Sequence, residues 1–382
     1  MSYSKFLVKS TYKDPVTGLI TLIVLLISLS CFGFNFQNRQ RDTLRSNVQH
    51  QLTFQTKQLK SMQQSSTSTN KSAIQAQQTD IKTNQRIITL LNQHKWAAAY
   101  HLRISQNQTL IQNDRQASGN HDSTLRAGLI QENNWYTALA KLNTPEVSAA
   151  YPTTGIGFTL WLATWIAPIL ITSMIILICA QLATKAYNAG VDQSSLLPIS
   201  RAMLTSQTFF SSWLVALISA GVVFGLSLIT ATIISGVGSV AYPWEMHHHG
   251  ITYHQQGSGI GPIVLLEVLS IGFIVAIVNL VAKGLRKPLP TVFVSLLLLP
   301  GINVLTTLLA PLAPIADWLP MTYFSIADIV SGKTAVTLTN TAISWQHGCW
   351  VLLIGTLIIL TLLYGATFIE GSRLFHTKQK VS

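Results

Sequence analysis

The stretch from 260 to 311 reads IGPIVLLEVLSIGFIVAIVNLVA (260–282), KGLRKP (283–288) and LPTVFVSLLLLPGINVLTTLLAP (289–311). Two apolar runs stand on either side of a short connection that carries Lys283, Arg286 and Lys287. The first run holds one ionisable side chain, Glu267, and the second holds none. As helix, either run is about 34 Å long at 1.5 Å per residue, against a hydrocarbon core of about 30 Å. A helix in a soluble protein needs one apolar face, not an apolar circumference over that length. Each run therefore predicts a membrane-spanning helix, and the short basic turn predicts a tight antiparallel pair.

Four further runs of the same kind lie at about 16–36, 156–183, 208–236 and 347–369, which makes six. Pro168, Pro262 and Pro300 fall inside three of them, where a membrane helix tolerates proline better than a soluble one does. Lys5, Lys9 and Lys13 precede the first run, as in a signal peptide, but 16–36 is long enough to span and no small-x-small cleavage site follows. Ser28 and Leu29 are a poor approach to a lipoprotein-type Cys31, so an uncleaved span is expected. Cys31, Cys179 and Cys349 all lie in or beside apolar runs and read as small packing residues rather than redox or metal groups.

Only 10% of the 382 residues are charged and 48% are hydrophobic. A net charge of +12 would suggest nucleic acid in a soluble chain. Here the charges sit between spans, and nucleic acid is not expected. Orientation follows from Lys and Arg in the short loops. The segments 1–15, 184–207, 283–288 and 370–382 alternate onto one side and hold eleven positive residues. The two short loops on the other side, 237–259 and 312–346, hold only Lys333. Both termini are therefore expected in the cytoplasm, with 1–15 as an amphipathic segment along the inner surface (Tyr3, Phe6, Leu7 and Val8 beside Lys5 and Lys9). The expected fold is an all-α integral membrane protein with six transmembrane helices and a large, mostly helical extracellular domain between the first and second.

That domain, 37–155, is rich in Gln, Ser, Thr and Asn. Its 13 Lys and Arg residues do not oppose an extracellular placement, because long domains cross regardless of charge. Leu44, Val48, Leu52, Leu59, Ile74, Ile81 and Ile88 recur at helical spacing and predict helices with a thin apolar seam, interrupted at Ser65–Asn70. From Trp96 onward Tyr100, Leu102, Ile104, Leu129, Trp135, Tyr136 and Leu139 thicken the pattern toward a small helical core.

The loop between the second and third spans contains Leu196-Leu197-Pro198-Ile199-Ser200-Arg201. Ser200 or Ser194 can cap a helix, Leu196, Leu197 and Ile199 offer apolar knobs, and Arg201 offers a charge to a partner. This motif in this loop resembles the permeases of the ABC type-2 exporter family. Glu132-Asn133-Asn134 followed by Tyr151-Pro152-Thr153-Thr154-Gly155-Ile156-Gly157-Phe158 resembles that family's lead-in to its second span. Leu319–Phe324, Ile329–Gly332, Trp345 and Gly348 resemble its outer loop before the sixth span. The order of one span, a large outer domain and five more spans matches as well, while Gln37 to about Gly119 matches nothing in the family.

The resemblance implies a membrane subunit in a bacterial plasma membrane, with no cofactor and no enzymatic activity of its own. ATP and magnesium would be held by a separate ATP-binding cassette subunit docked on 196–201. The pathway would need a second copy of the chain or a sister permease. Its large outer domain resembles exporters of antimicrobial peptides or those that confer immunity to them. Two other readings stay open: a membrane-anchored sensor whose polar domain binds an extracellular ligand, and an ion-coupled secondary transporter that uses Glu267. A membrane-embedded enzyme would need paired carboxylates, a His-Glu-x-x-His helix or a Ser/His pair at matching depth, and none is present.

Ser331-Gly332-Lys333-Thr334 imitates the end of a P-loop, but a P-loop needs glycine where Ala327 stands. His247, His248, His249 and His254, with Glu245 nearby, are the densest ligand-capable cluster. Three adjacent imidazoles cannot easily face one ion, so a solvated loop is the favoured reading over a metal site. Glu267, the one carboxylate well inside a span, is a candidate for the substrate pathway, since such residues face a bundle interior or a cavity. Trp161, Trp165, Trp213, Trp318, Trp345 and Trp350 near span ends read as an aromatic belt.

Overall fold

The structure is a computed structural model and describes residues 8–9, 11, 13–64, 71–116, 123–185, 187–188, 191–192, 200–247 and 250–379. Most of the expected N-terminal amphipathic segment, the break at Ser65–Asn70, Ser194 and the loop core Leu196–Ile199 lie outside these residues. Among the described residues the chain is mostly helical and has six helices long and apolar enough to cross a membrane: Pro15–Asn38, Ala167–Thr184, Arg201–Ser235, Gly257–Leu285, Pro288–Thr306 and Trp345–Phe368. They coincide with the six apolar runs. The chain divides into two compact units. One comprises Met1–Cys31, Gly155–Val237 and Ser258–Ser382; the other comprises Phe32–Thr154 and Gly238–Gly257.

α1 is Pro15–Asn38, the first span, of which Pro15–Cys31 belongs to the first unit. The second span is built from α6 (Gly155–Trp165), a π turn at Ala167–Ile171 and α7 (Thr172–Thr184). The fifth has the same construction, with α10 (Pro288–Leu296), a π turn at Leu297–Gly301 and α11 (Ile302–Leu308). Each π turn contains a proline, Pro168 or Pro300. Proline lacks the N–H that an α turn needs and crowds the carbonyl four residues back, and widening the turn relieves both. The third, fourth and sixth spans are α8 (Arg201–Ser235), α9 (Gly257–Leu285) and α14 (Trp345–Gln379).

The second span packs along α8, and its α7 half also meets α10, while α8 leans on α14. The expected tight pairing of the fourth and fifth spans is not what the structure has: the fifth makes its close helix contact with the second. The turn between the fourth and fifth explains this. Arg286 is left-handed (φ 55°), and Lys287, which precedes Pro288, is extended (φ −132°, ψ 138°), so the chain swings aside instead of folding straight back. The segment expected as a loop before the sixth span is also compact. It consists of 3-10 turns Ala310–Trp318 and Pro320–Phe324, then α12 (Ile326–Val330) and α13 (Lys333–Thr337). Tyr323 is fully buried in it and donates to the Asp317 carbonyl at 2.8 Å. The Tyr323 ring lies so close to Gly348 that an added Cβ there would stand 2.3 Å from Cδ1.

In the second unit, α2 (Leu44–Gln64), α3 (Lys71–Asn92), α4 (Trp96–Gln116) and α5 (Ser123–Leu142) form two helical hairpins. The antiparallel strands β1 (Pro243–His247) and β2 (Ile251–Gln255) pack against α5. The apolar core gathers Leu44, Val48, Ile87, Leu91, Tyr100 and Leu139. These lie toward the end where α2 and α4 start and α3 and α5 finish, and the seam runs through Ile87 with Ile88 only partly buried. Farther along the helices the interior becomes polar. Asn84 donates to Gln55 Oε1 (3.0 Å), and Asn107 donates to Glu132 Oε2 (3.1 Å) and Asn133 Oδ1 (3.0 Å). Arg103 pairs with Glu132 at 3.2 Å. The unit thus has an apolar storey and a hydrogen-bonded storey, as expected where apolar residues thin out along a bundle and buried polar groups need partners.

Candidate functional site

Of the loop residues expected to dock an ATPase, Leu196, Leu197, Pro198 and Ile199 lie outside the described residues, and Ser200 and Arg201 lie within them. Ser200 is the N-cap of α8: extended at φ −62°, ψ 141°, it accepts from the Met203 N–H at 3.4 Å through its side chain. Arg201, partly exposed, is the first helical residue. Around this point the chain brings separate connections together. Asp14, just before the first span, pairs with Lys185, just after the second, at 3.7 Å. The Arg286 guanidinium, in the fourth-to-fifth turn, stands 5.8 Å from the Tyr187 ring centroid. Tyr187 and Asn188 pair with Val191 and Asp192 as a two-residue antiparallel ladder. A turn and a half into α8, Ser206 Oγ and Tyr364 OH of α14 share a 2.5 Å hydrogen bond. One end of this unit therefore gathers the lead-in to the first span, the second-to-third connection and the fourth-to-fifth turn.

Glu267 lies in α9, half-buried, and among the described residues it has no ion-pair or hydrogen-bond partner. One residue on, the Val268 carbonyl accepts from Trp213 Nε1 of α8 at 3.5 Å, so this level of the fourth span is seated against the third.

The histidine cluster is divided by strand geometry. His248 and His249 lie outside the described residues. His247 in β1 meets Glu245 on the same face, Nε2 to Oε1 at 3.1 Å, and Glu245 also accepts from Gln131 at 3.5 Å. His254 pairs in register with Trp244, while Glu245 pairs with Tyr253. Neighbouring strand residues face opposite ways, so His254 points away from the Glu245–His247 pair. Among the described residues no group of three or more His, Cys, Asp or Glu side chains is placed to hold a metal.

Two polar features were not singled out from sequence. The first is Glu146 in the second unit. Its Oε2 accepts from the Leu44 N–H at 2.6 Å and its Oε1 from Trp135 Nε1 at 3.0 Å. Beside it, the Tyr242 hydroxyl accepts from the Val147 N–H at 2.8 Å, and Tyr100 and Tyr136 stack with ring centroids 5.5 Å apart. Burial pushes the Glu146 carboxyl above its ordinary range, and the two N–H donors pull the other way. Burial likewise raises the Tyr100, Tyr136 and Tyr242 hydroxyls, which keeps them as neutral donors and acceptors.

The second feature is a half-enclosed cavity of about 180 Å³ in the first unit, between α11 and the segment before the sixth span. Asn303 and Thr306 of α11 line one wall, and Thr322, Ser325, Asp328 and Lys333 line another. Hydroxyls spread over some thirty residues of sequence carry no shared pattern, so only folding reveals them as one site. No family model, no curated protein and no solved structure matches this chain.

Proposed function

We propose that this chain is the membrane subunit of an ATP-driven exporter of the ABC type-2 kind. It would be paired with a second copy or a sister permease and driven by a separate ATP-binding cassette subunit docked on 196–201. The observation that carries this reading is the convergence at one end of the spanning unit. The residues flanking the Leu-Pro-Ile-Ser-Arg loop meet there with the lead-in to the first span and the fourth-to-fifth turn. A force applied to that loop would thus be passed to several spans at once. The same end bears the excess of Lys and Arg, which supports its being cytoplasmic and supports an extracellular position for the 37–155 domain. Ser200 capping gives the third span a defined start directly behind the loop.

The test is co-purification from detergent-solubilised membranes, comparing wild type with a triple variant, Leu196→Asp, Leu197→Asp and Arg201→Glu. An ATPase subunit that accompanies the wild type and is lost from the variant is the expected result. A correctly inserted wild type that brings no ATPase sinks the exporter reading. The sensor reading would then lead, because the second unit has its own packed core and could recognise a ligand without the spans.

A further inference from the structure

In the second unit buried polar side chains close on one another, as Asn84 does on Gln55 and Asn107 on Glu132 and Asn133. The walls of the cavity beside α11 do the opposite. Asn303, Thr322 and Thr334 are more than nine-tenths buried and line it together. Thr322 Oγ1 has no hydrogen-bond partner among the described residues. Ser325, another lining residue, stands at the N-cap of α12, where a serine usually bonds a backbone N–H, yet its side chain makes no capping bond. Buried hydroxyls are nearly always paired, so whatever fills this cavity completes them.

The charges at the rim are already engaged. Lys333 and Asp328 pair with each other at 3.7 Å, Lys333 also stands 5.8 Å from the Trp165 ring centroid, and Asp328 has a further interaction. The lining holds no other charged side chain, so an ionic ligand would enter without a counter-charge. An apolar ligand would leave Thr322 unpaired. The volume of about 180 Å³ equals about six waters at roughly 30 Å³ each, the room that one sugar ring takes up.

We propose that this cavity binds a neutral polyol of sugar-ring size. The Thr322, Ser325 and Thr334 hydroxyls and the Asn303 carboxamide exchange hydrogen bonds with its hydroxyl groups, each of which both donates and accepts. The Asp328–Lys333 pair stays closed at the rim.

The test is equilibrium binding of radiolabelled glucose to the full chain in nanodiscs, free of sugar-based detergent. One glucose per chain is expected, with glucuronate and protonated glucosamine competing at least about tenfold less well than unlabelled glucose. The near-isosteric Thr322→Val, and separately Asn303→Leu, should each weaken glucose about tenfold. Absence of saturable glucose binding by wild type, with water alone filling the cavity, overturns the proposal. So does glucuronate or glucosamine competing as well as glucose, or binding unchanged in both variants. Glycerol competing as well as glucose overturns the assignment of ring size. Maltotriose competing as well as glucose places the end ring of a longer chain in the cavity, and its failure to compete places the free sugar there.

Discussion

The two units solve opposite problems with the same helices. In the second, the large apolar side chains Leu139, Ile87 and Tyr100 are fully buried, and Gln, Lys and Thr cover most of the outside, where Phe54, Leu110, Leu125 and Ile130 are exceptions. In the first, Leu289 (80% exposed), Ile233 (78%) and Phe368 (70%) point outward. Its interior takes small and hydroxylic residues such as Ala216, Ser212, Ser219, Thr291 and Ser295 alongside the larger apolar ones. A helix surrounded by hydrocarbon gains nothing by hiding leucine, and its contacts come from close approach of small residues. A helix in water must hide its few leucines, and where they run out it must pair its amides.

The contrast breaks most visibly at Leu139. Leu139→Ala should cost about 3 kcal/mol and loosen the second unit alone, whereas Leu289→Ala should change stability by less than about 0.5 kcal/mol. Hydrogen exchange resolved by segment on the full chain would read this as lost protection confined to 44–142. Equal losses from the two variants would end the distinction.

A smaller effect probes the polar storey. Asn107→Leu adds apolar surface yet should destabilise the second unit by about 2 kcal/mol, because Glu132 loses a donor in a buried network. A neutral or stabilising result, read by the same exchange experiment, would mean that the amides there only fill space.

The smallest effect concerns pH. Burial raises the Glu146 carboxyl in the folded chain, so its proton stabilises the fold fully below the unfolded value, and this contribution fades as pH rises through the folded value. Glu146→Gln cannot titrate. The melting temperature of the variant relative to wild type should therefore climb with pH across the mildly acidic range. Parallel curves would show that Glu146 keeps an ordinary carboxyl.

The spans were legible in sequence because uninterrupted hydropathy over about 20 residues has few other causes. Their ends were less so. Hydropathy starts the third span at 208, while the helix begins at Arg201, because Ser200 caps it and the polar Thr205, Ser206 and Gln207 lower the hydropathy without ending the helix. The strands at 243–247 and 251–255 fall in a segment expected as loop, although Trp244, Met246, Ile251 and Tyr253 alternate there with polar residues. The docking motif was legible only as a motif. Glu146 looked like any acid after a proline, since its partners Leu44 and Trp135 come from 102 and 11 residues away. The cavity near α11 had no sequence signal, because its walls meet only after the segment before the sixth span has packed.

The π turns at Pro168 and Pro300 set the phase of everything that follows them. Each accommodates one residue more than an α turn would, which rotates the rest of the span by about 100° about its axis. Patterns of apolar and small residues therefore cannot be counted through either proline as though the span were one helix. It also follows that a single-residue deletion within 167–171 or 297–301 is absorbed by tightening the π turn to an α turn, with α7 or α11 keeping its face, whereas a deletion past the turn is not. In the fifth span, deleting Ile302 would turn the residues after it by about 100° relative to those before, and carry Asn303 and Thr306 out of the cavity wall.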